Sequence, residues 1–395
     1  MSQSSDPIVI VGFSRTPIGA LLGELSSLSA NELGAIAVRG ALEDAGIKGD
    51  AVEQIFMGNV LSAGQGQAPA RQAALKADLP LHVEATTLNK MCGSGMQASI
   101  MAKDALAGGS AEIIIAGGME SMSNAPHLLK SQRRGVKYGS AQVEDHMALD
   151  GLTDAYEGEP MGVYADAAAQ KYQFTRQAQD AYALETLARA QKATNNGSFD
   201  REISPVTIKS RKGETVISSD ELPRNARPEK IPQLRAAFTK DGTVTAANAS
   251  GISDGAAALV MMRRSHASKI GAKPIATLVA SAAHAHEPAW FTTAPVPAMQ
   301  KVLDKAGWRK DEVDLWEINE AFAVVPMIAM QELGLDHAKV NVNGGACAMG
   351  HPIGASGARI MATLIAALQA RGLKKGVASL CIGGGEATAV AIEMC

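Results

Sequence analysis

Two cysteines, one histidine and one asparagine stand in settings that ordinary packing does not require. Cys92 lies in Asn89-Lys90-Met91-Cys92-Gly93-Ser94-Gly95-Met96, between a strand-like stretch over 84–88 and a helix expected to start near Gly93. A thiol at a helix N-terminus faces free backbone N–H groups and the positive end of the helix dipole. Both favour the thiolate and would lower its pKa from about 8.5 toward neutrality, which makes a nucleophile. The competing reading is a buried, inert cysteine, the commonest fate of that residue. His351, in Gly350-His351-Pro352-Ile353-Gly354-Ala355-Ser356-Gly357, also sits just before an expected helix. Cys381 closes a buried-looking strand ahead of Gly383-Gly384-Gly385, and as a small apolar strand residue it would need no further explanation. Three glycines in a row weaken a strand, however, and make sense where N–H groups must point at a developing oxyanion. Asn319, in Asn319-Glu320-Ala321-Phe322, follows a strand over 315–318, at the C-terminal edge where α/β sites gather.

The elements that must position these residues repeat along the chain. The segment 37–46 resembles 298–307, with Leu42 matching Leu303 at an offset of about 261 residues. Each copy continues through an Asp and a Val (Asp50 and Val52, Asp311 and Val313) into a strand-like stretch, 54–57 or 315–318. Ser94-Gly95 then matches Ser356-Gly357, each opening an Ala-rich helix that leads to an apolar strand, 113–118 or 377–385. Similar matches in the same order at nearly one offset indicate a duplicated domain. Each half alternates strand and helix, from 8–11 or from 275–281, so helices should cover both faces of a mixed sheet. Stacking the halves would give a five-layer α/β body. If the halves are related by a pseudo-twofold axis, the loops of Cys92 and His351 face each other and form a thiol–imidazole pair.

The expected division is 1–121, completed by about 249–271, for the first half and 272–395 for the second. An insertion over 122–248 separates them. In it, Thr175 is expected to cap a helix reaching about residue 192, and a hairpin over 203–208 and 215–218 should turn at Lys212-Gly213. Residues 201–240 carry nine Lys or Arg against five Asp or Glu, either a solvated face or a cradle for a polyanionic ligand.

At 395 residues with 46% hydrophobic and 19% charged residues, the chain is long and apolar enough for a large core without metal or disulfide support. A net charge of −3 and 4% aromatics argue against a nucleic-acid binder. Four cysteines without a CxxC pair argue against zinc, and no apolar run approaches a membrane span. Nothing at the N-terminus reads as a signal segment, so the cytoplasm is expected. Cys347 and Cys395 read as structural, and the other seven histidines carry no assigned role.

Together these pieces resemble the thiolase family over essentially the whole chain. The matching motifs are Asn89-Lys90-Met91-Cys92-Gly93-Ser94-Gly95, Gly117-Gly118-Met119-Glu120-Ser121-Met122-Ser123, Asn248-Ala249-Ser250-Gly251, Asn319-Glu320-Ala321-Phe322, Gly350-His351-Pro352-Ile353-Gly354 and Cys381-Ile382-Gly383-Gly384-Gly385. Within the family the chain looks most like the biosynthetic acetyl-CoA acetyltransferases. The resemblance implies a duplicated αβαβα core with an inserted loop domain, and a metal-free Claisen condensation of two acetyl-CoA to acetoacetyl-CoA and CoA. No cofactor is implied beyond the CoA that the substrates carry. Cys92, deprotonated by His351, would hold the acetyl group, and Cys381 would deprotonate the second acetyl-CoA. His351 and a water positioned by Asn319 would hold the enolate oxygen, while the N–H groups of Cys92 and Gly383 hold the second oxyanion.

By the same resemblance Arg224 faces the nucleotide end of CoA. Leu152, Met161, Ala237, Phe238, Ala246, Ala249, Ser250, Gly251, Ala321 and Phe322 would lie along its pantetheine. Two positions depart from the family's usual pattern: Pro160-Met161-Gly162 stands where His-Met-Gly is common, and Trp290-Phe291 where a Met is common near the acyl pocket. Bulky aromatics there favour a short acyl chain or reshape the pocket for a branched one. A degradative 3-ketoacyl-CoA thiolase is the alternative enzyme, and an acyl-CoA carrier with the thiolase fold the non-enzyme alternative. A ketoacyl synthase is disfavoured by Cys381. The family is usually dimeric or tetrameric, and the insertion is the expected tetramer contact.

Overall fold

The computed structural model describes residues 6–211 and 213–395. The expected turn residue Lys212 lies outside them. In the first half the strands are β1 (Ile8–Arg15), β2 (Gln54–Gly58), β3 (Glu84–Leu88), β4 (Ile113–Ser121) and β5 (Ser253–Arg263). In the second they are β6 (Ala276–Ala285), β7 (Leu315–Ile318), β8 (Lys375–Ile382) and β9 (Glu386–Met394). These nine strands hydrogen-bond in the order β7-β8-β9-β6-β1-β5-β4-β2-β3, with the short strand Gly19–Ala20 beside β5. The order reads the same outward from the middle of the sheet. β6, β9, β8 and β7 occupy the places of β1, β5, β4 and β2, and the only parallel pair of the second half, β7 with β8, matches β2 with β4. β1 and β6 join the halves through two register pairs, Val9 with Thr277 and Ile10 with Ala276.

Three apolar clusters divide the body into five layers. Helices α1 (Ala30–Ala45) and α2 (Pro69–Lys76) cover the outer face of the first half, where Leu33, Val38 and Ala73 meet Ile55, Ile115 and Val260. Helix α3 (Ser94–Ala107) lies between the two halves of the sheet. After the insertion's helices α4 (Met161–Lys171) and α5 (Arg176–Asn195), α6 (Pro295–Ala306) and α7 (Val324–Leu333) cover the outer face of the second half. The last helix, α8 (Ser356–Arg371), joins α3 in the central layer, where Met96, Ala102, Ile360, Met361 and Leu364 are all buried. Over its first turns α8 has no solvent face, and thirteen consecutive residues, from Ser356 to Leu368, are buried.

Glycine makes the central layer possible. A Cβ added at Gly95 would stand 2.7 Å from Ala358 N, and one at Gly357 2.3 Å from Met96 N. The backbones of α3 and α8 therefore touch at their first turns, a separation only glycine permits. The strand-to-helix turn that carries Cys92 is also tight. Met91 adopts φ +46°, which costs a non-glycine residue about 1–2 kcal/mol. Local bonds hold it there: Asn89 Oδ1 accepts the Met91 N–H, and Ser94 Oγ accepts the Lys90 N–H while donating to Met91 O.

The insertion is tied to both halves. Thr175 caps α5 by accepting the Ala178 N–H, and the helix runs to Asn195, one turn past its expected end. On its inner face Tyr182 and Thr186 donate to the buried carboxylate of Glu320, which also accepts the Cys347 N–H. Fully buried Arg15 on β1 donates to Glu202 at 2.6 Å and to Asp220 at 2.7 Å, anchoring the insertion to the first half. The hairpin is Val206–Ser210 with Gly213–Ile217. Its first strand starts later than the sequence suggests because Ile203 is taken up by a bridge to Arg15. β1, β4 and β5 are long, each buried nearly throughout, and the glycine run after Cys381 is a turn rather than strand.

Candidate active site

Every residue singled out for chemistry falls at the end of a strand, in a segment that follows one, or in the loop before a central helix. Cys92 lies between β3 and α3, Asn319 directly after β7, Cys381 at the end of β8, and His351 in the loop before α8. The backbone N–H groups of Gly383 and of Cys92 itself both act on the Cys92 sulfur to favour its thiolate, so groups from the two halves meet at one atom. Cys381 lies close enough that a charge on Cys92 raises its pKa further.

The electrostatics differ from the sequence expectation. Cys92 has the expected N–H donors, but burial outweighs them, with Glu120 adding a smaller push, and the thiol rises to about 11. The thiol thus carries its proton in the free protein, a correction to the lowered value that the helix end alone implies. Burial also keeps the Cys381 thiol protonated. His351 is lowered to about 3, mainly by burial and further by the charge of Arg359, so its imidazole is neutral and available as a base.

Its tautomer follows from its partners. Ser356 Oγ donates its one proton to Pro352 O and so accepts the His351 Nδ1–H at 2.5 Å. The lone pair is left on Nε2, which faces Asn319 Nδ2 at 3.4 Å.

Cys92, His351 and Gly383 line one cavity of about 540 Å³. Leu152, Met161, Ala237, Phe238, Ala246, Ala249, Ser250, Gly251, Phe291, Ala321 and Phe322 share its wall. Cys381 and Asn319 do not; both are buried, Cys381 near Cys92 and Asn319 against His351. The wall is largely apolar, and Phe322 meets Phe291 and Phe238 edge to face at 6.3 and 6.0 Å. Phe291 faces the cavity while Trp290 does not, its ring lying under the Lys171 ammonium at 4.0 Å.

Arg224 is not on this wall. It pairs with Glu24 and lines a separate hollow of about 250 Å³, two residues past Leu222, which does reach the cavity. The basic stretch 201–240 does not form one cradle either. Arg201 pairs with Asp44 and lies over Phe13, Lys209 pairs with Glu214, and Arg227 and Lys230 line a neighbouring cavity of about 310 Å³. Strand, turn and helix carry these side chains to different surfaces, which a count along the chain does not register.

Sequence reading missed Leu222, Ile252 and Ile353 on the wall, and it missed Ser356 and Arg359 as partners of the site. Ser356 was visible inside its glycine motif. Arg359, three residues on, lacked any local signal.

Comparison with known proteins agrees with this geometry. Residues 8–265 match the model of the thiolase N-terminal domain and residues 272–394 that of the thiolase C-terminal domain. The chain is 49% identical over 391 residues to an acetyl-CoA acetyltransferase of Allochromatium vinosum, covering 98% of this chain and 99% of that one. It is 48% identical to one of Cupriavidus necator, with the same coverage. Among solved structures, an acetyl-CoA acetyltransferase of Syntrophomonas wolfei superposes with a TM-score of 0.96 at 42% identity, covering 99% of this chain and 100% of that one. A thiolase of Ascaris suum in complex with coenzyme A gives 0.93 at 42% identity, covering 98% and 100%. The chain belongs to the thiolase family. It is an acyltransferase of the five-layer αβαβα fold.

Proposed function

We propose that the protein is an acetyl-CoA C-acetyltransferase, condensing two acetyl-CoA to acetoacetyl-CoA and CoA through an acetyl group on Cys92. The observation that carries this reading is that Cys92, His351 and Gly383 share one apolar cavity, with Cys381 near Cys92 and Asn319 against His351. In the first half-reaction His351 Nε2 takes the Cys92 proton as the sulfur attacks the thioester carbon. The N–H groups of Cys92 and Gly383, already directed at that sulfur, hold the oxyanion. Cys381, protonated by burial, gives its proton to the departing CoA thiolate. The Cys381 thiolate so formed removes a methyl proton from the second acetyl-CoA. Its enolate oxygen is held by protonated His351 and by a water that Asn319 positions. The carbanion attacks acetyl-Cys92, and the released Cys92 sulfur recovers its proton from His351.

The apolar residues from Leu152 to Phe322 take the pantetheine, with Arg224 toward the nucleotide. Phe291 narrows the acyl end and favours a short chain. The chemistry draws acid, base and oxyanion donors from the chain itself, without metal or other cofactor. Four free cysteines suit a reducing compartment, which supports a cytoplasmic setting; a role in lipid metabolism rests on the proposed acetyl-CoA condensation. Among the described residues no helix is long and apolar enough to cross a membrane. Exposed Leu129, Tyr138 and Val143 in the insertion support a homo-oligomer, a tetramer by this reading.

Mixing with acetyl-CoA should add one acetyl group to the peptide containing Cys92, and Cys381→Ala should still acetylate there but fail to condense. Thiolysis of acetoacetyl-CoA should outpace that of 3-ketooctanoyl-CoA. The reverse order would make the protein a broader 3-ketoacyl-CoA thiolase, and absence of the adduct a carrier.

A further inference from the structure

We infer that the first turn of α8 positions two catalytic side chains, Ser356 orienting His351 and Arg359 orienting Asn319, and that the first contact serves both half-reactions and the second only the condensation. The inference rests on the acetyltransferase reading above. Ser356 and Arg359 are three residues apart on one helix and therefore share a face. Both are buried, Arg359 to 2% exposure. Ser356 accepts the His351 Nδ1–H. Arg359 Nη2 reaches Asn319 Oδ1 at 3.5 Å.

A guanidinium can only donate, so Asn319 must turn its oxygen to Arg359, which leaves its amide nitrogen on the side of His351 Nε2. Asn319 has only this one flip to choose, and Arg359 decides it. Both contacts are long in the free protein, as catalytic hydrogen bonds often are before substrate tightens them.

A second buried arginine shows that Arg359 is not primarily structural. Arg15 directs Nε to Glu202 and both terminal nitrogens to Asp220, so its burial is compensated by close carboxylates. Arg359 is compensated more loosely, by the buried carboxylates of Glu317, Glu202 and Glu320 acting on it without a hydrogen bond. Its Nη1 stands 3.8 Å from Glu317 Oε2, and among the described residues Nε and Nη1 have no hydrogen-bond partner. Asn319 is the only hydrogen-bonded partner of this guanidinium among the described residues. A buried arginine so poorly paired costs stability. Its retention is explained by what it does to Asn319. Because His351 acts in both half-reactions and Asn319 only on the enolate, loss of Ser356 should slow both steps and loss of Arg359 only the second.

The test measures Cys92 acetylation by rapid quench and mass spectrometry, and condensation by steady-state kinetics, in Arg359→Met, Arg359→Lys and Ser356→Ala. Arg359→Met is expected to lower the condensation kcat about 10- to 100-fold without slowing acetylation, because losing the Arg359 charge lets His351 take a proton more readily, and with KM within about threefold of the parent. Arg359→Lys, which keeps one donor but not the planar fork, should recover part of that loss. Ser356→Ala should slow acetylation and condensation alike, by about tenfold or more. Equal losses in both steps for the Arg359 variants, or no loss, would overturn the inference, as would a Ser356→Ala defect confined to condensation. If Arg359→Met does not fold, Arg359→Lys and Ser356→Ala decide it by the same criteria. A parent protein that never acetylates Cys92 would instead remove the acetyltransferase reading itself.

Discussion

The two central helices descend from the same repeated segment, yet their N-termini do different work. α3 follows a strained turn and presents a thiol; α8 follows a tightly packed glycine-bearing loop and presents an imidazole. Around Cys92 the donors are backbone N–H groups, one of them from the opposite half. Around His351 the partners are side chains of α8 itself and of the loop after β7. Duplication thus supplied two equivalent positions at the centre of the body, one now holding a thiol and the other an imidazole, the proposed nucleophile and base. The lesson is that the pair is polarised by burial rather than by charge. Both groups rest neutral, and charge develops only when a proton crosses between them.

Removing the nucleophile breaks this comparison most completely. Cys92→Ala should lower condensation by at least about 10⁴-fold, measured against a parent-like melting temperature that shows the fold intact. A residual rate within tenfold of the parent would mean the acetyl group is carried elsewhere. Pushing the helices apart comes next. Gly357→Ala places a Cβ 2.3 Å from Met96 N and should cost about 1–3 kcal/mol in chemical denaturation, with a drop in kcat of about 100-fold. Unchanged stability would show that the two backbones can separate freely.

The smallest effect sharpens the electrostatic half of the comparison. The folded Cys92 thiol keeps its proton up to about 11, whereas an unfolded cysteine loses it near 8.5. Alkylation of Cys92 by iodoacetamide in the free protein should therefore keep rising toward pH 11, and a plateau by pH 8 would show that the helix end wins. Over the same window the unfolded chain binds fewer protons than the folded one, so Cys92 makes stability fall as pH rises from about 8.5 through 11.

Much of the site was legible in the sequence because its residues sit in short motifs with glycines at fixed places. Cys92, His351 and the Cys381–Gly385 run could be picked out without a fold, and the repeat said that two of them occupy related positions. The basic surplus over 201–240 misled because charge counted along a chain ignores where each side chain points. Arg201 and Arg224 each end beside a carboxylate.

What the sequence determined by itself was therefore local: which turns must be tight, which helix starts hold a thiol or an imidazole, and that the domain is doubled. These follow from residue types within a few positions of one another. The resting charge states of Cys92 and His351, the route of Asn319 to Arg359, and the share of the cavity wall given by Leu222 and Ile353 were decided only in three dimensions. Desolvation depends on everything packed around a group, and contacts between residues 40 positions apart, such as Asn319 and Arg359, exist only once the sheet and helices have closed over them.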